Sequence, residues 1–275
     1  MTDDWLKRMH HGGHAQVLAA VRWQIVKKGN RTAVQPLINL MLAREVQMLK
    51  KLDKYYRALS RRLEKGFTDH GETGVLSVFA NSGEELNDLV LTSNTRTVGI
   101  AGNWQALRLE KGSSEQLSTK RFHQTVEENL EEFLLAEALA SVAFVMQTDR
   151  SQAAKIIARG IEEGLGQREI SKNLQQSFSG RFGKGHAATI ARTEVGIAGS
   201  KGQDQGARIL GAQQKLWVAV DDDRTRGHHN DVDNKRVKID EFFTPLGENM
   251  SHPHDGAHGA TAKNIVNCRC AVLYD

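Results

Sequence analysis

Three side chains near the end of this sequence have the chemistry of zinc ligands. His229 offers an imidazole, and Cys268 and Cys270 offer two thiols separated by one residue. Asp255 or His254 can complete a four-coordinate set. A Cys-x-Cys pair can put two thiolates on one ion, but it is less diagnostic than a doubled Cys-x-x-Cys. Two readings therefore stand: a structural zinc, or two packing thiols beside a hydrogen-bonded imidazole. The expectation is no cofactor, with structural zinc as the alternative. These are the only 2 cysteines, and a disulfide across one residue is strained, so they make no disulfide framework.

Charged groups crowd the same region. Asp222 lies close to Arg224 and Arg226, and these three are expected to form a buried ion-pair network that staples a small sheet to a helix. Arg192 and Glu194 sit two apart on a predicted helix, so they point in different directions and reach different partners. The run Asp221–Asp223 with His228 and His229 has the residue types of a metal-dependent nuclease. No Gly-x-x-x-x-Gly-Lys-Ser/Thr phosphate loop occurs.

Four clusters follow one another in a fixed order. Ala191-Arg192-Thr193-Glu194 comes first. Trp217 and the turn Asp222-Asp223-Arg224-Thr225-Arg226-Gly227-His228-His229 come second, Pro253-His254-Asp255 third, and Asn267-Cys268-Arg269-Cys270 last. Each string alone is weak, but all four in order resemble the phage Mu F-like head morphogenesis domain of tailed bacteriophages. The resemblance covers roughly residues 150–275. It implies a structural role for Arg192, Thr193, Glu194, Trp217, Asp222, Arg224, Thr225, Arg226, His229, Pro253, Asp255, Cys268, Arg269 and Cys270. One departure is visible. The family usually has a Gly in the turn after the His, where this chain reads Asp231-Val232-Asp233-Asn234-Lys235. Asn accepts a left-handed backbone better than most residues, so the turn survives.

The elements that must position these groups can be read from periodicity. Residues 34–65 predict one long helix, with apolar residues at Ile38, Met41, Met48, Leu52, Tyr55 and Leu59. Pro36 sits near its start, Glu45 interrupts its apolar stripe, and Gly66 is placed to stop it. Residues 66–118 are rich in Gly, Ser and Asn and suggest short helices between turns. Residues 119–147 predict a further helix, with a Ser151 cap opening another over 152–163. Gly164-Leu165-Gly166 is a break, followed by a short helix over 168–177. Gly180, Gly183 and Gly185 suggest a flexible joint before an Ala- and Gly-rich helix over 186–210. Residues 216–220, 237–239 and 271–274 are strand candidates. The expected fold is α+β: a helical region over 1–149, then an F-like α+β domain over 150–275.

Composition agrees with a globular protein. The 275 residues are 39% hydrophobic and 25% charged, with few aromatics and 3 prolines, which favours helix over a β-sandwich. No apolar run approaches the ~18–20 residues that span a bilayer, and acids at Asp3 and Asp4 are unlike a signal peptide. Cytoplasmic synthesis is therefore expected. The net charge of +4 is unevenly spread: residues 1–65 carry 14 Lys/Arg and 5 acids, the rest 23 and 28. Lys50, Lys54, Arg57 and Arg61 recur at helical spacing as a basic stripe. Such a stripe is either solvated surface or a contact for duplex DNA or an acidic partner.

The resemblance implies a minor head protein and not an enzyme. Its implied place is the virion head interior after assembly in the host cytoplasm, next to portal, scaffold and major capsid proteins. A DNA-binding protein in its own right is the alternative, with a metal-dependent nuclease behind it.

Overall fold

The computed structural model describes residues 30–110, 119–220 and 222–275. The basic residues before position 30, Asp221, and the side chains of Glu110 and of residues 119–129 lie outside the described residues. The fold is α+β: long helices come first, and a small three-stranded antiparallel sheet follows.

Helix α1 (Asn30–Glu110) is broken at Gly71, whose φ of 59° and ψ of −141° suit only glycine. Its two arms run antiparallel. Arg44 donates from Nε to Thr97 Oγ1 at 3.2 Å, and Arg62 pairs with Glu85 at 2.9 Å. The expected stop at Gly66 is thus corrected. Gly66 lies inside the first arm, and its missing side chain lets Gly74 of the second arm pass against it. The second arm also replaces the short helices expected over 66–118. Val75, Phe79, Leu86 and Val90 recur at helical steps and are buried against the first arm. That burial outweighs the weak helix propensity of the polar residues between them. Ser82 and Asn81 bond back to the carbonyls of Val78 and Ser77, so they are accommodated within the helix.

Helix α2 (Thr119–Glu162) runs straight through Ser151. Ser151 Oγ donates to Gln147 O at 2.9 Å, a bond within the helix, so the expected cap does not form. Gly164, at φ 68°, makes the expected break. Helix α3 (Gln167–Ser179) then buries Ile170, Leu174 and Phe178. The expected three-glycine joint reduces to Gly180, because helix α4 (Arg181–Ile209) already contains Gly183 and Gly185.

Helix α4 lies along both arms of α1, and its glycines allow the close approach. A side chain at Gly199 would collide with Met41, at Gly202 with Val98 O, and at Gly206 with Gly102 O. One hydrophobic core links Leu37, Tyr56 and Phe79 of α1 with Ala138 and Met146 of α2, Leu174 of α3 and Val195 of α4.

The sheet has the order β2 (Arg236–Lys238), β1 (Gln214–Val218), β3 (Ala271–Tyr274). Trp217 pairs with Val272, and Lys215 with Tyr274. Alternation splits the strands between two apolar layers. Trp217, Val272 and Tyr274 join Phe243, Met250 and the two cysteines. Leu216, Val218, Ala271 and Leu273 pack on Val34 at the start of α1. Arg31 adds a bond to Asp233 Oδ2 at 2.8 Å. The first turns of α1 are thereby fixed to the sheet.

Candidate functional site

The motif residues meet where β3 begins. Asn267 adopts φ 58°, and two residues of α4 hold it there. Arg192 Nη1 donates to its Oδ1 at 3.0 Å, and its backbone N–H donates to Thr193 Oγ1 at 3.2 Å. Arg192 also faces Glu45 of α1 at 3.7 Å. Glu194 points the other way, accepting from Asn94 at 2.9 Å and Ser141 at 2.7 Å. Arg192 and Glu194 therefore reach different partners.

The Asp222 turn is built on itself. Arg224 N–H and Thr225 Oγ1 both donate to Asp222 Oδ1 at 3.0 Å, and Asp222 N–H donates to Thr225 Oγ1 at 3.2 Å. The ion pair differs from the one expected. Arg269 forks onto both oxygens of Asp222, with side chains 8% and 2% exposed. Arg226 donates instead to Val266 O, one residue before Asn267. Neighbours in sequence point apart around a tight turn, so the buried carboxylate takes its guanidinium from across the fold. Arg269 thus takes both oxygens of Asp222, which does not converge on His229 as a nuclease centre requires.

His229 comes from the one-turn helix α5 (Gly227–Asn230) and is 1% exposed. Trp217 meets it edge-on, and Phe243 packs edge-on against Trp217 in turn. Its Nδ1 lies 3.6 Å from Cys268 Sγ and 3.4 Å from Cys270 Sγ. Its Nε2 lies 2.9 Å from Oδ1 of Asn264, on the one-turn helix α6 (Ala262–Ile265). Both cysteines are free thiols. Burial raises the Cys268 thiol, yet Cys270, His254 and His229 together pull it well below its usual pKa. Cys268 and burial push Cys270 well above.

Pro253 and Asp255 belong to a buried loop. Asp255 accepts from Ser251 N–H at 2.6 Å and Ala257 N–H at 3.0 Å, and contacts His258 Nδ1 at 2.6 Å. It staples the loop and is not among the groups gathered at His229. His254, φ 65°, lays its ring against Gly196 of α4. In the turn after His229, Asn234 takes the left-handed backbone at φ 60°.

Two residues were missed by the motif reading: Asn264 and Glu45. Glu45 had looked like an interruption of an apolar stripe, but it is 4% exposed and faces Arg192. Burial raises its pKa to about 7 against the pull of Arg192, His254 and Arg269. The stripe of Lys50, Lys54, Arg57 and Arg61 lies elsewhere, exposed along the first arm of α1, with Arg57 paired to Asp53 at 2.6 Å.

The Arg-Thr-Glu stretch of α4, the Asp-x-Arg-Thr turn and the Asn-Cys-Arg-Cys run before β3 all lie within a region that matches a known family. Residues 151–273 match Phage Mu protein F like protein. That region is similar to the phage Mu F-like family. The chain is 32% identical over 128 residues to "Minor head protein GP7" of Bacillus phage SPP1, covering 44% of this chain and 39% of the relative. It is 33% identical over 122 residues to "NAD(+)--arginine ADP-ribosyltransferase EFV" of Enterococcus faecalis, covering 42% of this chain and 24% of the relative. The chain therefore spans well under half the length of either. No solved structure matches it. Among the described residues no helix is long and apolar enough to cross a membrane.

Proposed function

We propose that the chain is a minor head protein of a tailed phage that acts in procapsid assembly without catalysing a reaction. The match of residues 151–273 to the F-like family, with a minor head protein among the relatives, carries this reading. The use of the motif supports it. Arg192, Thr193, Asp222, Arg226 and Arg269 all spend their polar groups on other parts of the fold. Such groups hold a shape and leave little for a substrate. The name of the second relative describes a protein of which only 24% aligns here.

In this reading the protein assembles in the host cytoplasm and remains in the head interior, against the portal or scaffold and the major capsid protein. The helical hairpin of α1 and the F-like domain enter as one packed body, since Val34 and Arg31 tie them together. Co-expression with the portal, scaffold and major capsid proteins of its phage tests this. The protein is expected to co-sediment with procapsids, and free protein at the top of the gradient contradicts the reading.

The exposed basic stripe favours a second contact, with packaged double-stranded DNA. Four cations along one helical face suit a phosphate backbone, and a head-interior protein lies beside DNA.

A further inference from the structure

We propose that His229, His254, Cys268 and Cys270 hold one zinc ion in a tetrahedral site that fastens the start of β3 to α5 and to the 250–255 loop. The side-chain atoms of His229, Cys268 and Cys270 lie within 4.8 Å of one another, all buried. A tetrahedron with Zn–N of about 2.0 Å and Zn–S of about 2.3 Å has an N···S edge of about 3.5 Å. The two observed N···S separations are 3.6 and 3.4 Å.

Hydrogen bonding fixes which nitrogen of His229 is available. Asn264 Nδ2 donates to Glu248 Oε2 at 2.6 Å and to Pro245 O at 3.3 Å, and both are acceptors only. Asn264 Oδ1 must therefore face His229, so His229 Nε2 carries the proton and Nδ1 presents a bare lone pair. That lone pair faces two sulfurs, while it can accept only one S–H well. An ion between the three resolves the mismatch, and a polar partner on the far ring nitrogen is the usual support for a metal-bound imidazole.

His254 stands beside the trio whose ligand atoms already share one centre, and it reaches the fourth corner by turning its ring. It is 4% exposed, its Nδ1 has no hydrogen-bond partner, and its imidazole stands beside Cys268. It borders a cavity of about 30 Å³ together with Cys268, Cys270 and Gly196. A buried imidazole with an orphaned nitrogen, on a strained left-handed residue, needs a partner. Asp255 is excluded, since backbone N–H groups and His258 already engage it. Trp217 Nε1 is likewise buried without a partner, and a zinc-bound Cys270 thiolate would accept from it. Two thiolates with two neutral imidazoles balance the charge of Zn²⁺, and the softness of sulfur selects it over magnesium or calcium. Binding releases the two thiol protons to solvent.

The test uses the full chain, made without a histidine tag in zinc-supplemented medium. Elemental analysis is expected to find about one zinc per folded chain. Replacement by Co²⁺ should give tetrahedral d–d bands and a sulfur-to-cobalt charge-transfer band. His254→Ala should weaken zinc retention against a chelator at least tenfold, while His258→Ala, outside the site, should retain it. Folded wild-type protein that holds no zinc and gives no tetrahedral cobalt spectrum overturns the site. Full retention with an unchanged cobalt spectrum in His254→Ala overturns the fourth ligand.

Discussion

Arg269 and Asp222 form a buried two-pronged ion pair across 47 residues of sequence, and this pair locks the Asp-x-Arg-Thr turn onto the start of β3. Removing one partner leaves the other charged and dry. Arg269→Leu is therefore expected to destabilise the protein by about 3 kcal/mol. Asp222→Asn combined with Arg269→Leu should recover part of that loss. Urea unfolding of the wild type and the two variants checks this, and equal costs for the single and double variants would refute it.

The hairpin of α1 makes a graded set of glycine predictions. Gly74→Ala puts a Cβ 2.0 Å from Gly66 O, a backbone atom that cannot move alone, so the arms must part and the variant should be the least stable. Gly71→Ala meets no neighbour but is strained at φ 59°, costing about 1–3 kcal/mol. Gly83→Ala meets nothing and is helical, so it should stabilise by about 0.5–1 kcal/mol. A different rank order of melting temperatures would refute the close packing of the arms.

Three buried carboxyls set a pH dependence, and Glu45, raised by burial to about 7, is one of them. Burial raises Glu194 to about 7 against its bonds to Ser141 and Asn94. Burial likewise raises Asp149 to about 7 against its bond to Tyr56. A raised carboxyl pKa means the folded state holds the proton more tightly. The stability these groups contribute is full below their ordinary pKa of about 4 and is lost as pH rises through about 7. Burial lowers His186 to about 4, so its contribution is present above about 6.5 and is lost only in acid. Between pH 6.5 and 8 the carboxyls therefore dominate, and stability should fall by about 1 kcal/mol for each. Glu194→Gln with Asp149→Asn should reduce this slope and leave the share of Glu45; a slope unchanged by both substitutions would contradict the assignment.

Much of this fold can be read from sequence because its signals are local. The steps of Met48, Leu52, Tyr55 and Leu59 mark a helix, and Ala271–Tyr274 reads directly as a strand. What is not legible depends on distant contact. Gly66 and Gly71 have the same helix-stopping chemistry, and only the approach of Gly74 decides between them. The order of the motif brings Arg192, Asp222 and Arg269 into view, but nothing local says that Asp222 chooses Arg269 over the nearer Arg224 and Arg226. Asn264 belongs to no pattern, and its place behind His229 appears only in three dimensions. Asp255 and His254 are adjacent, and backbone direction alone separates the loop staple from the side chain beside Cys268.

The basic stripe makes a separate claim. If Lys50, Lys54, Arg57 and Arg61 contact duplex phosphates, changing all four to Ala should lower the slope of log K against log salt by about 3–4. An unaltered slope in a DNA-binding titration would make the stripe ordinary solvated surface.

The central claim is membership of the phage head. Quantitative mass spectrometry of purified mature particles and of procapsids tests it most directly. The account predicts the protein in both, at far fewer copies than the major capsid protein. Its absence from both would contradict the account.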